Sequence, residues 1–320
     1  MTDISLALDR YDRHLPIIDG RVPGTDGLRV RVFEVGQETE LRDGAHRHER
    51  MLRHAEFDAA EVSLSSFLIA KSRGLPFTAI PVFPRRLFSQ TQMFVAADSS
   101  FRHPRDLIGK RVGLQSFQTT LAVLAKGDLA HEYEIAYDAI RWVVKKPETL
   151  ALGADALPFE TLAAGADFVQ LLLDGELDAI FSSRTPAAPV GAIRRLFPDA
   201  RAEALRYLDR NKWFPIMHVI AVKDELLSQE PELATELTTL FEAAWNQCRQ
   251  DYADPGWLVL PFARLDFEQY ADACWPAGLA ANRPYLERFC RYASEQRLIK
   301  RDLTVEELFE PASARCVDHA

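Results

Sequence analysis

The sequence predicts a two-lobed α/β protein with a ligand cleft between the lobes and helices finishing the chain. Short β-type runs alternate with helical runs along most of its length, which implies parallel βαβ units. At 320 residues it exceeds what one hydrophobic core usually fills, about 250–300 residues. From Pro231 onward the pattern is helical, with amphipathic runs at Leu233–Cys248, Tyr285–Glu295 and Val305–Phe309.

The elements follow in order. Ile4 to Leu8 alternates as a strand, and the turn at Gly24 to Gly27 leads into a second strand, Leu28 to Phe33. Glu38 to Ala55 reads as a charged helix and Phe57 to Val62 as a short buried strand. Ser63 to Ser66 then opens the apolar run Phe67 to Ala70 as a capped helix. Phe77 to Phe83 is a strand stopped by Pro84. A second unit begins with a strand at Met93–Ala96, followed by a short helix at Pro104, a stop at Gly109 and a strand to Leu114. Thr119-Thr120 opens a helix through Leu129, Phe159 to Leu173 gives another, and Asp178 to Phe181 a strand. Phe214 to Val222 is the return crossing. These crossings place residues 1–92 and 213–320 in one lobe and 93–212 in the other.

Composition narrows the function. With 48% hydrophobic and 27% charged residues the chain reads as a soluble globular protein, and its net charge of −9 argues against nucleic-acid or anionic-membrane partners. No run approaches the ~18 apolar residues of a membrane span. The opening Met1-Thr2-Asp3 lacks the basic and apolar regions of a secretory leader, so a cytoplasmic location is expected. Cys248, Cys274, Cys290 and Cys316 are scattered, without metal spacing, and read as reduced and buried. Apolar C-terminal helices are compatible with a homodimer.

In open α/β sheets a ligand sits beyond the carboxyl ends of the strands. That rule collects the loops Asp9–Arg13, Ser63–Ser66, Pro84–Gln90, Gln115–Thr120 and Ser182–Pro186. Arg86 and Arg184 stand in such loops, and a guanidinium grips a carboxylate with two parallel hydrogen bonds. Arg85 reads as the solvated neighbour of Arg86. Ser65, Ser66, Thr119 and Thr120 precede helices, where hydroxyls and free N–H groups suit an anion but also serve as plain caps. His218 lies in an apolar strand, where a hydrogen-bonded core role is the commoner one. Glu61 ends a buried strand, and burial would raise its pKa and make it a proton donor. His46, His48 and His54 lie in Arg- and Glu-rich helical sequence and read as a solvated face rather than metal ligands. No catalytic-serine elbow, P-loop or dinucleotide fingerprint occurs.

The motifs, taken in sequence, resemble those of the 4,5-dihydroxyphthalate decarboxylases nearly end to end. They are Tyr11-Asp12-Arg13 with Asp19-Gly20-Arg21-Val22, Glu56-Phe57-Asp58 with Glu61-Val62-Ser63-Leu64-Ser65-Ser66, and Ile80-Pro81-Val82-Phe83-Pro84 with Arg86 and Phe88. Gly109 to Gly113, Gln118 with Thr120, Phe214 to His218, Trp275-Pro276 with Gly278, Asn282-Arg283 and Glu306 to Phe309 continue the likeness. The resemblance implies a type II periplasmic-binding-protein-like fold and a cytoplasmic enzyme of phthalate breakdown that decarboxylates a hydroxylated aromatic or related cyclic acid without a cofactor. It implies Arg86 and Arg184 as carboxylate ligands, His218 as acid or hydroxyl partner, Glu61 as second choice of acid, and Arg13, Ser65, Ser66, Gln118, Thr119 and Thr120 as further substrate contacts. No metal ligand set is implied. The chain departs from the family pattern at Ser89-Gln90, usually Arg-His, and at Ser116-Phe117, usually Glu-Tyr. The alternatives are a non-catalytic carboxylate-binding protein or sensor of the same fold, and lyase or hydrolase chemistry on a different small acid.

Overall fold

A computed structural model describes every residue except 1, 23, 25, 26, 36–44, 164 and 311–320, and only the backbone of Ala45, His46 and Cys274. The chain divides into two units: Met1–Arg85 with Ile216–Glu287 and Leu303–Ala320, and Arg86–Pro215 with Arg288–Asp302. The changes of unit therefore fall at 85/86 and 215/216, earlier and later than the expected 92/93 and 212/213, and 288–302 joins the second unit.

The first stretch is β1 (Thr2–Leu8), α1 (Leu15–Ile18), β2 (Leu28–Glu34), α2 (Ala45–Leu52), β3 (Ala59–Ser63), α3 (Leu64–Ser72) and β4 (Phe77–Ile80). β1 runs parallel to β2 and β3. β3 is covered on both faces, which its run of small and branched residues permits. β4 ends where Pro81 would break the ladder, since proline has no N–H to donate. The first part of the helix expected from Glu38 lies outside the described residues.

The second unit contains β5 (Met93–Ala96), β6 (Arg111–Leu114), α4 (Thr120–Glu132), β7 (Arg141–Val144), β8 (Glu160–Thr161), α5 (Phe168–Leu173), β9 (Ala179–Phe181), β10 (Ile193–Arg195) and α6 (Ala200–Asn211). Its sheet order is β10-β5-β9-β6-β7-β8. The helix expected from Phe159 starts only at Phe168. Gly165 takes a positive φ of 84°, and the Asp167 side chain caps α5 by accepting from the N–H groups of Val169 and Gln170.

The chain returns through β11 (His218–Lys223), followed by α7 (Asp224–Gln229), α8 (Leu233–Ala253), α9 (Pro261–Cys274), α10 (Gly278–Glu295) and α11 (Val305–Phe309). β11 begins four residues later than the expected Phe214. It enters the first sheet antiparallel between β3 and β4, giving the order β2-β1-β3-β11-β4. Leu233, Leu237, Leu240, Phe241 and Ala244 form one face of α8 and pack with Ile4, Leu6, Leu8 and Ile220 in the core. Cys248 and Cys290 are buried; the side chains of Cys274 and Cys316 lie outside the described set. Among the described residues no helix is long and apolar enough to cross a membrane.

Within the second unit α4 carries Gly127, and the Tyr292 ring occupies the space a side chain would need. A methyl group there would collide with the ring. Gly127→Ala should therefore lower stability by about 1–3 kcal/mol, as overpacking does, read as an earlier denaturant midpoint. An unchanged midpoint would mean the ring moves aside at no cost.

Candidate active site

Glu61 and His218 meet through strand register. In the β3–β11 pair Glu61 stands opposite Ile220, and His218, two residues along, shares that face as a diagonal neighbour. The His218 Nδ1 is hydrogen-bonded to Glu61 Oε1. Both side chains are enclosed, at 0% and 5% exposure for Glu61 and His218.

The other carboxylate oxygen of Glu61 is held by α2 and by the end of β1. Arg47 Nη2 lies 3.0 Å from Oε2, and the Asp9 backbone N–H donates to Oε2 at 3.2 Å. Arg47 also donates from Nε to the Glu61 carbonyl at 2.8 Å and from Nη1 to the Val35 carbonyl at 2.5 Å, and its Nη1 lies 3.7 Å from Asp9 Oδ2. One buried guanidinium thus joins α2, β3 and the segments after β1 and β2. His14 donates from Nδ1 to the Asp9 carbonyl at 2.8 Å, because a carbonyl only accepts. The His48 ring stands edge-to-face with that of His218, centroids 5.1 Å apart and planes at 85°.

These surroundings set the protonation states. Burial would raise Glu61, but the Arg47 guanidinium and His218 outweigh it and hold the carboxyl well below the usual carboxylate range. Glu61 is therefore held as the carboxylate, the opposite direction from the raised pKa that burial alone led one to expect. Burial lowers His218 to about 4, aided by Arg85 and Arg47, despite the opposing pull of Glu61. Burial also lowers His14, and with the His218 and Arg47 charges it takes His48 well below the ordinary value.

The remaining expected residues separate. His48, read as solvated, is buried beside His218; the His46 side chain lies outside the described set; His54 is exposed. Arg85, read as solvated, is half-buried; its charge lowers His218, and its guanidinium lies 5.8 Å from the Tyr11 ring centre. Arg13 is half-buried, with its guanidinium 4.4 Å from the Trp245 ring and 4.8 Å from that of Trp275, donating to the Phe83 carbonyl. Ser65 and Ser66 are buried in the first turn of α3, and Ser63 and Ser65 share a hydroxyl contact at 3.2 Å.

In the second unit Arg86 is buried and donates to the Phe214 carbonyl at 2.6 Å. Gln118 is buried, exchanging hydrogen bonds with the Leu150 backbone. Thr119 caps α4 through the Ala122 N–H, Thr120 is buried in its first turn, and Arg184 is half-buried. The departures from the family pattern are interior: Ser89 donates to Asp128 at 2.5 Å, Gln90 is buried, and Phe117 stacks on Phe159. Burial raises Asp128 to about 7. Among the described residues no three His, Cys, Asp or Glu side chains are grouped to hold a metal ion.

A family model described as NMT1/THI5 like matches residues 43–253. The 4,5-dihydroxyphthalate decarboxylase of Comamonas testosteroni is 30% identical over 97% of both chains. That of Pseudomonas putida is 29% identical over 58% of this chain and 72% of its own. Among solved structures, the alkanesulfonate-binding protein SsuA from Xanthomonas axonopodis pv. citri shares the fold. Its TM-score is 0.55 at 13% identity, covering 96% of this chain and 98% of that one. The architecture is thus that of the type II periplasmic-binding proteins.

The buried histidines make stability depend on pH. Their folded pKa values lie below the ordinary 6.5, so the stability they confer is complete above about 6.5 and is lost as pH falls toward the folded values. Glu61 adds a similar loss below its ordinary 4.5. Each histidine contributes up to about 1.4 kcal/mol per pH unit. Asp128, raised to about 7, works in the opposite sense over this range, so the histidine effect is read in Asp128→Asn. Denaturant unfolding of that variant should show it less stable at pH 5.5 than at 7.5, and a flat profile there would contradict these protonation states.

Proposed function

We propose that this chain, which belongs to the NMT1/THI5-like family and to that of the 4,5-dihydroxyphthalate decarboxylases, removes CO₂ from a hydroxylated aromatic acid with His218 as its proton-handling residue. The single observation that carries the assignment of His218 is its bond to an ionised, buried Glu61. Because the carboxylate accepts from Nδ1, the neutral ring carries its proton there and keeps the Nε2 lone pair for a ligand. Glu61 fixes the tautomer, and Arg47 fixes Glu61.

The chemistry follows from that arrangement. A hydroxyl para to the carboxylate donates its proton toward His218 Nε2, and its oxygen pushes an electron pair into the ring. The carbon bearing the carboxylate takes up a proton from solvent water, and the phenolate left when the ring is restored recovers its own proton from His218. The carbon–carboxylate bond then breaks, CO₂ leaves, and the bonding pair restores the aromatic ring. The net change is replacement of one carboxylate by one hydrogen, with no oxidation. A developing imidazolium on His218 is stabilised by the Glu61 carboxylate beside it. The Arg85 guanidinium, whose field already reaches His218, is our assignment for the substrate carboxylate. A place in aromatic-acid breakdown follows from the same reading.

A binding protein of the same fold would hold such an acid unchanged. Incubation of the purified protein with 4,5-dihydroxyphthalate should release CO₂ and 3,4-dihydroxybenzoate in equal amounts. His218→Ala should lower kcat by about 10²–10⁴-fold, the usual share of general acid–base catalysis, while ligand-induced thermal stabilisation persists. Full turnover by His218→Ala would remove the residue from the mechanism, and stabilisation without any product from the wild type would favour the binding protein.

A further inference from the structure

The mechanism above uses Glu61, Arg47 and His218 but leaves the second buried imidazole without a task. His48 follows Arg47 directly on α2. Consecutive helical residues point about 100° apart, so an exposed helix would bury one of them and leave the other in water. Here both are enclosed, Arg47 at 0% and His48 at 5% exposure. Arg47 closes on Glu61 from one side while the His48 ring meets the His218 ring edge-to-face. The His48 Nε2 is buried with no hydrogen-bond partner among the described residues. Leaving such an atom unpaired costs about 1–3 kcal/mol, which an aliphatic side chain in this place would avoid.

We propose that His48 is a positioning residue for His218: its ring fixes the rotamer of the His218 imidazole and shields that ring from water, so that Nε2 is presented to substrate in one orientation. This rests on the assignment of His218 to the reaction. Aromatic pairs prefer such an edge-to-face arrangement, and Glu61 alone, holding one nitrogen, leaves the ring free to rock about that bond. The charged groups bearing on His218 are Glu61 on β3, Arg47 on α2 and Arg85 ahead of the crossing, and the titratable His48 ring stands against it. Removing His48 takes away burial of the His218 ring. That change makes a proton on His218 easier to hold.

The test follows the His218 ring by NMR in ligand-free protein with labelled histidine, the signal being assigned with His218→Gln. In His48→Ala the His218 titration midpoint should rise by about one pH unit or more, since burial is the main depressing influence. The acidic limb of kcat/KM for 4,5-dihydroxyphthalate should move up with it, while kcat at pH 8 falls by less than about tenfold. His48→Phe keeps a ring edge against His218 and should restore both midpoints to within a few tenths of a unit. If His48→Ala does not fold, His48→Leu replaces it, with a partial rise expected. An unmoved His218 midpoint in His48→Ala or His48→Leu overturns the proposal. So does a His48→Phe protein that behaves like His48→Ala, which would make the nitrogen rather than the ring the active part. Because the NMR midpoint is read without substrate, a full shift together with an active His218→Ala protein would leave the positioning intact and dismiss the catalytic reading instead.

Discussion

The contact between Arg47 and Glu61 is the constraint on which the first unit depends. A carboxylate in the middle strands of a sheet is costly to bury unless it is paired and fully hydrogen-bonded. Here the guanidinium forms an ion pair with one oxygen, which also accepts from the Asp9 N–H, and His218 is hydrogen-bonded to the other. The same guanidinium ties the carbonyls of Val35 and Glu61. Loss of either charge would leave its partner stranded in the interior. The pair therefore fixes where α2 lies against β3, and only then can a histidine on β11 be oriented by a carboxylate on β3.

That ordering separates structure from chemistry in the site. Arg47 and Asp9 hold Glu61, Glu61 holds His218 by Nδ1, and in our reading His218 offers its Nε2 to the substrate. Family membership defines the reaction class, decarboxylation of a hydroxylated aromatic acid. The departures from the family pattern sit inside the second unit, where Ser89 bonds a buried Asp128 and Phe117 stacks on Phe159. An Arg-His to Ser-Gln change at such interior positions alters packing and the protonation of Asp128 as much as any ligand contact.

Much of the fold was legible because its strands are short, apolar and well punctuated. β1, β2, β3, β5, β6 and β9 emerged from alternation and glycine or proline stops, and the N-cap at Thr119 from its hydroxyl. The failures have physical causes. β8 and β10 are edge strands of two and three residues with little apolar content, so no periodicity marks them. α6 is polar on most faces, so no clear apolar stripe marks it in the sequence. Of the site, Glu61 and His218 were visible as polar residues in apolar strands. Their relation was not, because it depends on the antiparallel register of strands far apart in the chain. Arg47 and His48 were hidden for a simpler reason: adjacent charged residues in a charged helix look solvated unless the helix end is known to be buried. Arg85, read as the solvated one of two consecutive arginines, is half-buried, because two arginines in a row give no local cue to which lies near the buried residues.

The insertion of β11 between β3 and β4 has a consequence for how the protein is made. β3 and β4 leave the ribosome early, but the strand that belongs between them follows only after residues 86–215 have been synthesised. Pairings so distant in sequence form late, because a long loop must close before they yield any stabilisation. During that interval the β3 edge is open and Glu61 lacks His218. The nascent first unit is then a half-built sheet with an exposed apolar margin, the kind of species that chaperones retain. Completion of the sheet and completion of the Glu61–His218 pair are one event, so a chain that stops short of His218 lacks both.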